Sequence, residues 1–221
     1  MREFSSPEAL AEALAESVAA VLRGRIAREG FAALAVSGGT TPVRFFQALS
    51  GQKLDWAKVT VTLVDERWVD ETSPRSNAAL VRAHLLQDQA AAARFLPLYS
   101  GAATPEEGCA LVQAAVSALP LPFAAVVLGM GADGHTASFF PGGDHLDAAL
   151  EPTGTALALP MRAPGAGEPR ITLTLPVLLA ADYLALHIEG EAKRTVLAQA
   201  SALPVGAVLA RRPGTEIFWS P

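Results

Sequence analysis

Three short stretches combine residue types that could do chemistry: SGGTTP (37–42), VDERW (64–68) and GMGADGHTASFFPGG (129–143). The last sets Asp133 and His135 among five glycines. A histidine titrates near neutrality, so His135 could take a proton from water and return it to a leaving oxygen. Asp133, two residues earlier, could orient the imidazole or bind substrate. Gly129, Gly131 and Gly134 permit sharp backbone turns, and HTASFF reads as a helical turn beginning near the histidine. In SGGTTP, the paired Gly38 and Gly39 let a ligand approach the backbone. Thr40 and the following helix start would offer free N–H groups to an anion, most often a phosphate. The stretch is neither a P-loop nor GxGxxG, and two glycines alone are better read as a plain tight strand–helix turn. In VDERW, Asp65 and Glu66 could position an arginine or contact sugar hydroxyls. Arg67 could hold a phosphate through two charge-assisted bonds. Alone, that stretch also fits a surface ion-pair cluster.

Other reactive residues offer less. His84 falls in a predicted helix, His187 in an apolar strand and His145 in a loop without other signals. No HExxH or two-histidine pair supports a metal, and no GxSxG supports a serine nucleophile. A hydrolytic reading therefore requires activated water without a covalent intermediate. Cys109 is the only cysteine, which rules out an internal disulfide, and EEGCALVQAAV reads as a helix with a half-buried thiol.

Elements that would position these stretches follow from periodicity. Residues 6–29 carry apolar side chains at helical spacing behind a Ser-Pro-Glu start, and 104–119 begins in the same way with Thr104 and Pro105. Residues 31–37, 59–68, 124–129, 170–175, 183–188 and 207–210 read as strands, with EIFWS as a short terminal one. VRFFQALS, capped by Thr41 and Pro42, RSNAALVRAHLL and GEAKRTVLAQA read as helices between them. Alternation of strand and helix predicts an α/β, Rossmann-like domain over 1–221, its mainly parallel sheet flanked by helices on both faces. Each of the three stretches follows a strand, so they would meet along one sheet edge.

Bulk properties agree with a packed enzyme-sized domain. Of 221 residues, 51% are hydrophobic and 18% charged, and the formal net charge is −5 without any Lys/Arg block. These values argue against disorder and against a nucleic-acid surface. The N-terminus has no signal-type apolar core and no apolar run reaches membrane-spanning length, so a cytoplasmic chain without a membrane partner is expected.

AVSGGTTP, LVDERWV followed by SNAALVRAHLL, LGMGADGHTASFFPG, RITLTLPVL and GEAKR together resemble the 6-phosphogluconolactonase family, in the family's order from about residue 34 to residue 194. The resemblance implies hydrolysis of 6-phospho-D-glucono-1,5-lactone in the oxidative pentose phosphate pathway, with no cofactor and no metal. It implies that Gly38, Gly39, Thr40 and Arg67 hold the phosphate, with Asp65 in the binding set. Arg162 or Arg170 would supply a further cation, and His135, with Asp133, would activate the water. A monomer acting on a small phosphosugar lactone is expected. The family commonly carries a Lys in the loop before RITLTL, where this chain has Arg162 and APGAGEP. Phe139 stands where a Leu is expected. Glucosamine-6-phosphate deaminases share the SGG and DGH stretches, but this chain has Phe140 where their pattern places a Glu before Pro. A non-catalytic sugar-phosphate sensor would need a DNA-binding module, for which the single domain leaves no residues.

Overall fold

The computed structural model describes all residues, Met1–Pro221. Along the chain run β1 (Arg2–Glu3), α1 (Pro7–Glu29), β2 (Ala32–Val36), α2 (Val43–Ser50), β3 (Val59–Leu63) and β4 (Asp65–Arg67). They are followed by α3 (Asn77–His84), β5 (Arg94–Leu96), α4 (Pro105–Ser117), β6 (Ala125–Leu128), α5 (Leu146–Leu150) and β7 (Ala158–Met161). The last third holds β8 (Arg170–Leu173), α6 (Leu175–Leu179), β9 (Tyr183–Glu189), α7 (Glu191–Leu197), α8 (Pro204–Arg211) and β10 (Glu216–Ser220).

Seven strands form one sheet in the order β1-β10-β9-β6-β2-β3-β5, and every neighbouring pair is parallel. Every residue of β2 and β6 is buried. Successive side chains on a strand point to opposite faces, so both faces of the sheet centre are covered. Fifty-six buried hydrophobic residues make one contiguous core. The long helix α1 forms for the reasons the sequence gives. Ser6 accepts a hydrogen bond from the Ala9 N–H at 3.2 Å, Pro7 sits in the first turn, and Leu10, Leu14, Val18 and Leu22 make its buried stripe. Gly30, with φ 85°, ends it in the left-handed conformation that glycine adopts without a steric penalty.

From β2 the chain continues to β3 and β5 on one side; from β6 it continues to β9 and β10 on the other. The carboxyl ends of β2 and β6 therefore flank the point where strand order reverses, which is where open α/β sheets form their crevice. SGGTTP leaves β2 there, and the histidine loop leaves β6.

Three local expectations need correction. VTVTLVDERW is two strands rather than one. Val64 joins them, donating its N–H to the Val36 carbonyl at 3.0 Å and accepting from the Leu173 N–H at 2.8 Å. Beyond it, β4 leaves the parallel sheet for a small antiparallel one, ordered β4-β8-β7. AVLA (207–210) lies inside α8, where Pro204 opens the helix and Val205 and Val208 turn inward. HTASFF forms no helical turn, because Ala137 is held at φ 49°, outside the right-handed helical region. No helix is long and apolar enough to cross a membrane.

Candidate active site

A cleft of about 380 Å³ opens at the reversal point. All three stretches reach it: Gly38, Gly39 and Thr40 after β2, Asp65 and Arg67 on β4, and His135 after β6. The 37–42 turn presents backbone donors. The N–H groups of Gly38, Gly39, Thr40 and Thr41 have no protein acceptor, and Pro42 at the start of α2 provides no side-chain cap. Thr41 does not cap α2 as its position suggests; its Oγ1 accepts from Lys193 Nζ of α7 at 3.2 Å. Gly38 is required by contact: a Cβ there would lie 2.0 Å from Asn77 Oδ1. Gly39, at φ 92°, occupies backbone space open mainly to glycine.

His135 is held from both ends of its loop. Its Nδ1 lies 2.5 Å from Asp133 Oδ1, and the same oxygen accepts the His135 N–H at 3.1 Å. A carboxylate at Nδ1 calls for the ring proton there, which leaves Nε2 as the basic nitrogen. The Asp133 carboxyl is itself held below its usual range. Burial opposes that, and is outweighed by the two His135 hydrogen bonds and the imidazole charge. Gly131 lies beneath the ring, donating its N–H to the His135 carbonyl at 2.9 Å. Farther on, Thr136 Oγ1 donates to the Gly129 carbonyl at 2.8 Å, and Ser138 Oγ donates to Asp65 Oδ2 at 2.6 Å. These bonds bracket the left-handed Ala137 and tie the loop to the small sheet.

Antiparallel pairing of β4 with β8 puts Arg67 directly opposite Arg170. Like charges so placed repel one another. Burial, with repulsion from Arg67 and Arg75, draws the Arg170 guanidinium below its usual range, while Asp65, 3.8 Å away, opposes this. Arg170 donates one Nη2–H to the Ala166 carbonyl at 2.7 Å, and Arg67 donates to the Arg75 carbonyl. Nε of both arginines is buried without a partner. Buried charged donors without a partner are uncommon.

Asp65 lines the cleft, but its carboxylate is engaged by Ser138 and Arg170, which makes it a support for the cation rather than a free ligand for an anion. Arg162 is not among the cleft residues. Its guanidinium forms a two-pronged pair with Glu106 at 2.8 and 3.1 Å, and Glu106 is drawn down to about 2 chiefly by those bonds. Glu66 is also turned away, fully buried, and accepts from the N–H groups of Arg67, Asn77 and Ala78 and from Ser76 Oγ. It fastens the start of α3, and burial outweighs these donors to push its carboxyl up to about 7.

Four cleft residues carried no signal that singled them out. Lys193 stands in GEAKR, yet only the fold shows its ammonium at the 37–42 turn, where burial draws it below its usual range against the pull of Glu189. Arg75, paired with Glu168, comes from the β4–α3 connection, and Asn77 opens α3. His187 reads as an ordinary strand residue but lines the cleft, with Nε2 3.0 Å from Glu189 Oε1. Cys109 is half-buried in α4, and burial raises its thiol. No group of three or more His, Cys, Asp or Glu is placed to hold a metal ion.

Comparison with known proteins identifies relatives along the whole chain. The family model described as glucosamine-6-phosphate isomerases/6-phosphogluconolactonase matches residues 5–219. The 6-phosphogluconolactonase of Rhizobium meliloti is 53% identical, with 100% of this chain and 98% of that protein covered. That of Pseudomonas aeruginosa is 47% identical, with 100% and 94% covered. The crystal structure of a 6-phosphogluconolactonase from Shewanella baltica superimposes with a TM-score of 0.96 at 41% identity, covering 100% of this chain and 97% of that one. A β2 turn with free N–H groups, a β6 loop carrying Asp133 and His135, and similarity along the whole length lead to one conclusion: the chain belongs to the glucosamine-6-phosphate isomerase/6-phosphogluconolactonase family.

Proposed function

We propose that the chain hydrolyses 6-phospho-D-glucono-1,5-lactone to 6-phosphogluconate, as its relatives' names indicate for them. One observation carries the reading: Arg67 and Arg170, opposite one another on β4 and β8, line the same cleft as a carboxylate-oriented imidazole. A phosphate at one end of the substrate satisfies the first feature, and an ester to be opened by water makes use of the second.

Arg67 and Arg170 grip the phosphate together with the N–H groups of Gly38, Gly39 and Thr40, and Lys193 adds a charge beside Thr41. Arg170, rather than Arg162, is the second cation. His135 Nε2 removes a proton from water as the water oxygen bonds to the lactone carbonyl carbon. Asp133 stabilises the imidazolium that results. When the tetrahedral intermediate collapses, the bond to the ring oxygen breaks and His135 returns the proton to that oxygen. The products are a hydroxyl and a carboxylic acid that ionises. A δ-lactone holds its ester in the reactive cis geometry, so one positioned base and a fixed substrate suffice.

The test compares 6-phosphogluconolactone, generated in situ, with unphosphorylated glucono-1,5-lactone, each against its spontaneous opening. Ammonia release from glucosamine 6-phosphate is followed in parallel. Acceleration confined largely to the phosphorylated lactone, without ammonia, is expected. Ammonia release without lactone opening, or equal rates on the two lactones, overturns the reading.

A further inference from the structure

Phe140 makes two contacts that the reaction described above does not assign. Its ring centroid lies 4.2 Å from that of His135, with the planes 32° apart. The Arg170 guanidinium carbon lies 5.4 Å from the centre of the same ring. Phe140 is 3% exposed and contributes to the cleft wall. Its place is fixed by the left-handed Ala137 and by the Ser138–Asp65 bond just before it. Arg170 is in turn fixed by the Ala166 carbonyl and by Asp65. The contacts thus run from β8 through an aromatic ring to the imidazole, on a path separate from the Asp133 bond.

We propose that Phe140 is a positioning residue for the hydrolytic step: its π face keeps the His135 imidazole in place and stabilises the imidazolium that exists while the tetrahedral intermediate does. The inference rests on the reading of His135 as the base. An aromatic face within about 6 Å of a cation attracts it through the ring quadrupole. A leucine of comparable bulk fills space but has no such face. Asp133 supplies the charge that faces the imidazole from its own loop, and the Arg170 guanidinium carbon lies 5.4 Å from the centre of the Phe140 ring. Phe140 therefore lies beside both the cation assigned to the phosphate and the base that must itself become cationic.

Phe140→Leu and Phe140→Tyr are compared with the wild-type chain in lactone hydrolysis, together with a chain carrying pentafluorophenylalanine at the same position. Fluorination keeps the ring's shape and removes the negative face, so it separates electrostatics from packing even if the leucine variant folds poorly. Phe140→Leu and the fluorinated ring should each lower kcat by about three- to thirtyfold with KM nearly unchanged. Phe140→Tyr should stay close to wild type. The His135 ring protons should show an upfield ring-current shift in the wild-type spectrum that is lost in Phe140→Leu. A wild-type chain that opens the lactone while the fluorinated chain keeps full kcat overturns this inference and leaves the hydrolytic reading standing. A wild-type chain that does not open the lactone overturns both.

Discussion

Gly131→Ala is the perturbation whose consequence the geometry fixes most closely. A Cβ on residue 131 would lie 2.2 Å from His135 Cε1, 2.3 Å from Nδ1 and 2.7 Å from Asp133 Oδ1, whereas ordinary contact begins at 3.4 Å. The residue is outside the left-handed region, so alanine is not strained there by its backbone and the effect is one of space alone. The imidazole must retreat by roughly 1 Å or turn away from Asp133, and a misplacement of that size can cost about a hundredfold in rate. That is a barrier increase of about 2.7 kcal/mol. Arg67 and Arg170 sit on β4 and β8, away from the substituted backbone, so KM for the phosphorylated lactone should change by less than about threefold. Steady-state kinetics on in-situ substrate, with a thermal melt to confirm folding, reads both parameters. A folded Gly131→Ala chain with wild-type kcat would refute the placement of His135 at the reacting centre. A loss confined to KM would refute it equally.

Arg170→Ala should raise KM by about tenfold or more, since it removes a charge-assisted grip. Arg162→Ala should leave KM unchanged and stability little altered, because its pair with Glu106 is solvent-exposed; the reverse outcome in kinetics would move the phosphate site. Stability should also depend on Glu66, whose carboxyl burial pushes up from 4.5 to about 7. The folded chain keeps a proton that the unfolded chain gives up above 4.5, so this contribution is full below that pH and is lost as pH rises through about 7. The loss amounts to about 3 kcal/mol at most. Urea unfolding of wild type and Glu66→Gln at pH 5 and pH 8 should show it as a steeper decline in the wild type, and parallel declines would contradict it.

The parts of the fold legible in the sequence are those where one local signal suffices. Ser6-Pro7-Glu8 starts α1 and Thr104-Pro105 starts α4, each through a side-chain oxygen that accepts from the backbone three residues on. The runs at 31–37 and 124–129 are strands because they are short, apolar and stop at or just before a glycine. Legibility ends where two signals compete or where the determinant lies elsewhere in the chain. Four apolar residues, AVLA, are too few to separate a period of 2 from one of 3.6, and Pro204 decides for a helix. The β-branched run 59–68 gives no sign that Val64 exchanges one sheet for another, because its partners are Val36 and Leu173. HTASFF follows a glycine turn as a helix start can, but bonds from Thr136 and Ser138 to Gly129 and Asp65 hold Ala137 left-handed.

The candidate site divides in the same way. Asp133 and His135 are neighbours in sequence, so their pairing can be read from spacing. That Arg170 faces Arg67 depends on the register of β4 against β8, which neither segment encodes alone. Arg162, eight residues earlier and equally cationic, is separated from it only by the Glu106 carboxylate on α4. Lys193 reaches the cleft because α7 follows β9 at the same sheet edge.

Everything proposed for the hydrolytic step turns on His135 Nε2 as the group that activates the attacking water. The most direct measurement is kcat for 6-phosphogluconolactone hydrolysis by wild type and His135→Ala, each corrected for spontaneous opening. A fall of about a hundredfold to ten-thousandfold is expected, with the substrate still bound. A folded His135→Ala chain that opens the lactone as fast as wild type would contradict it.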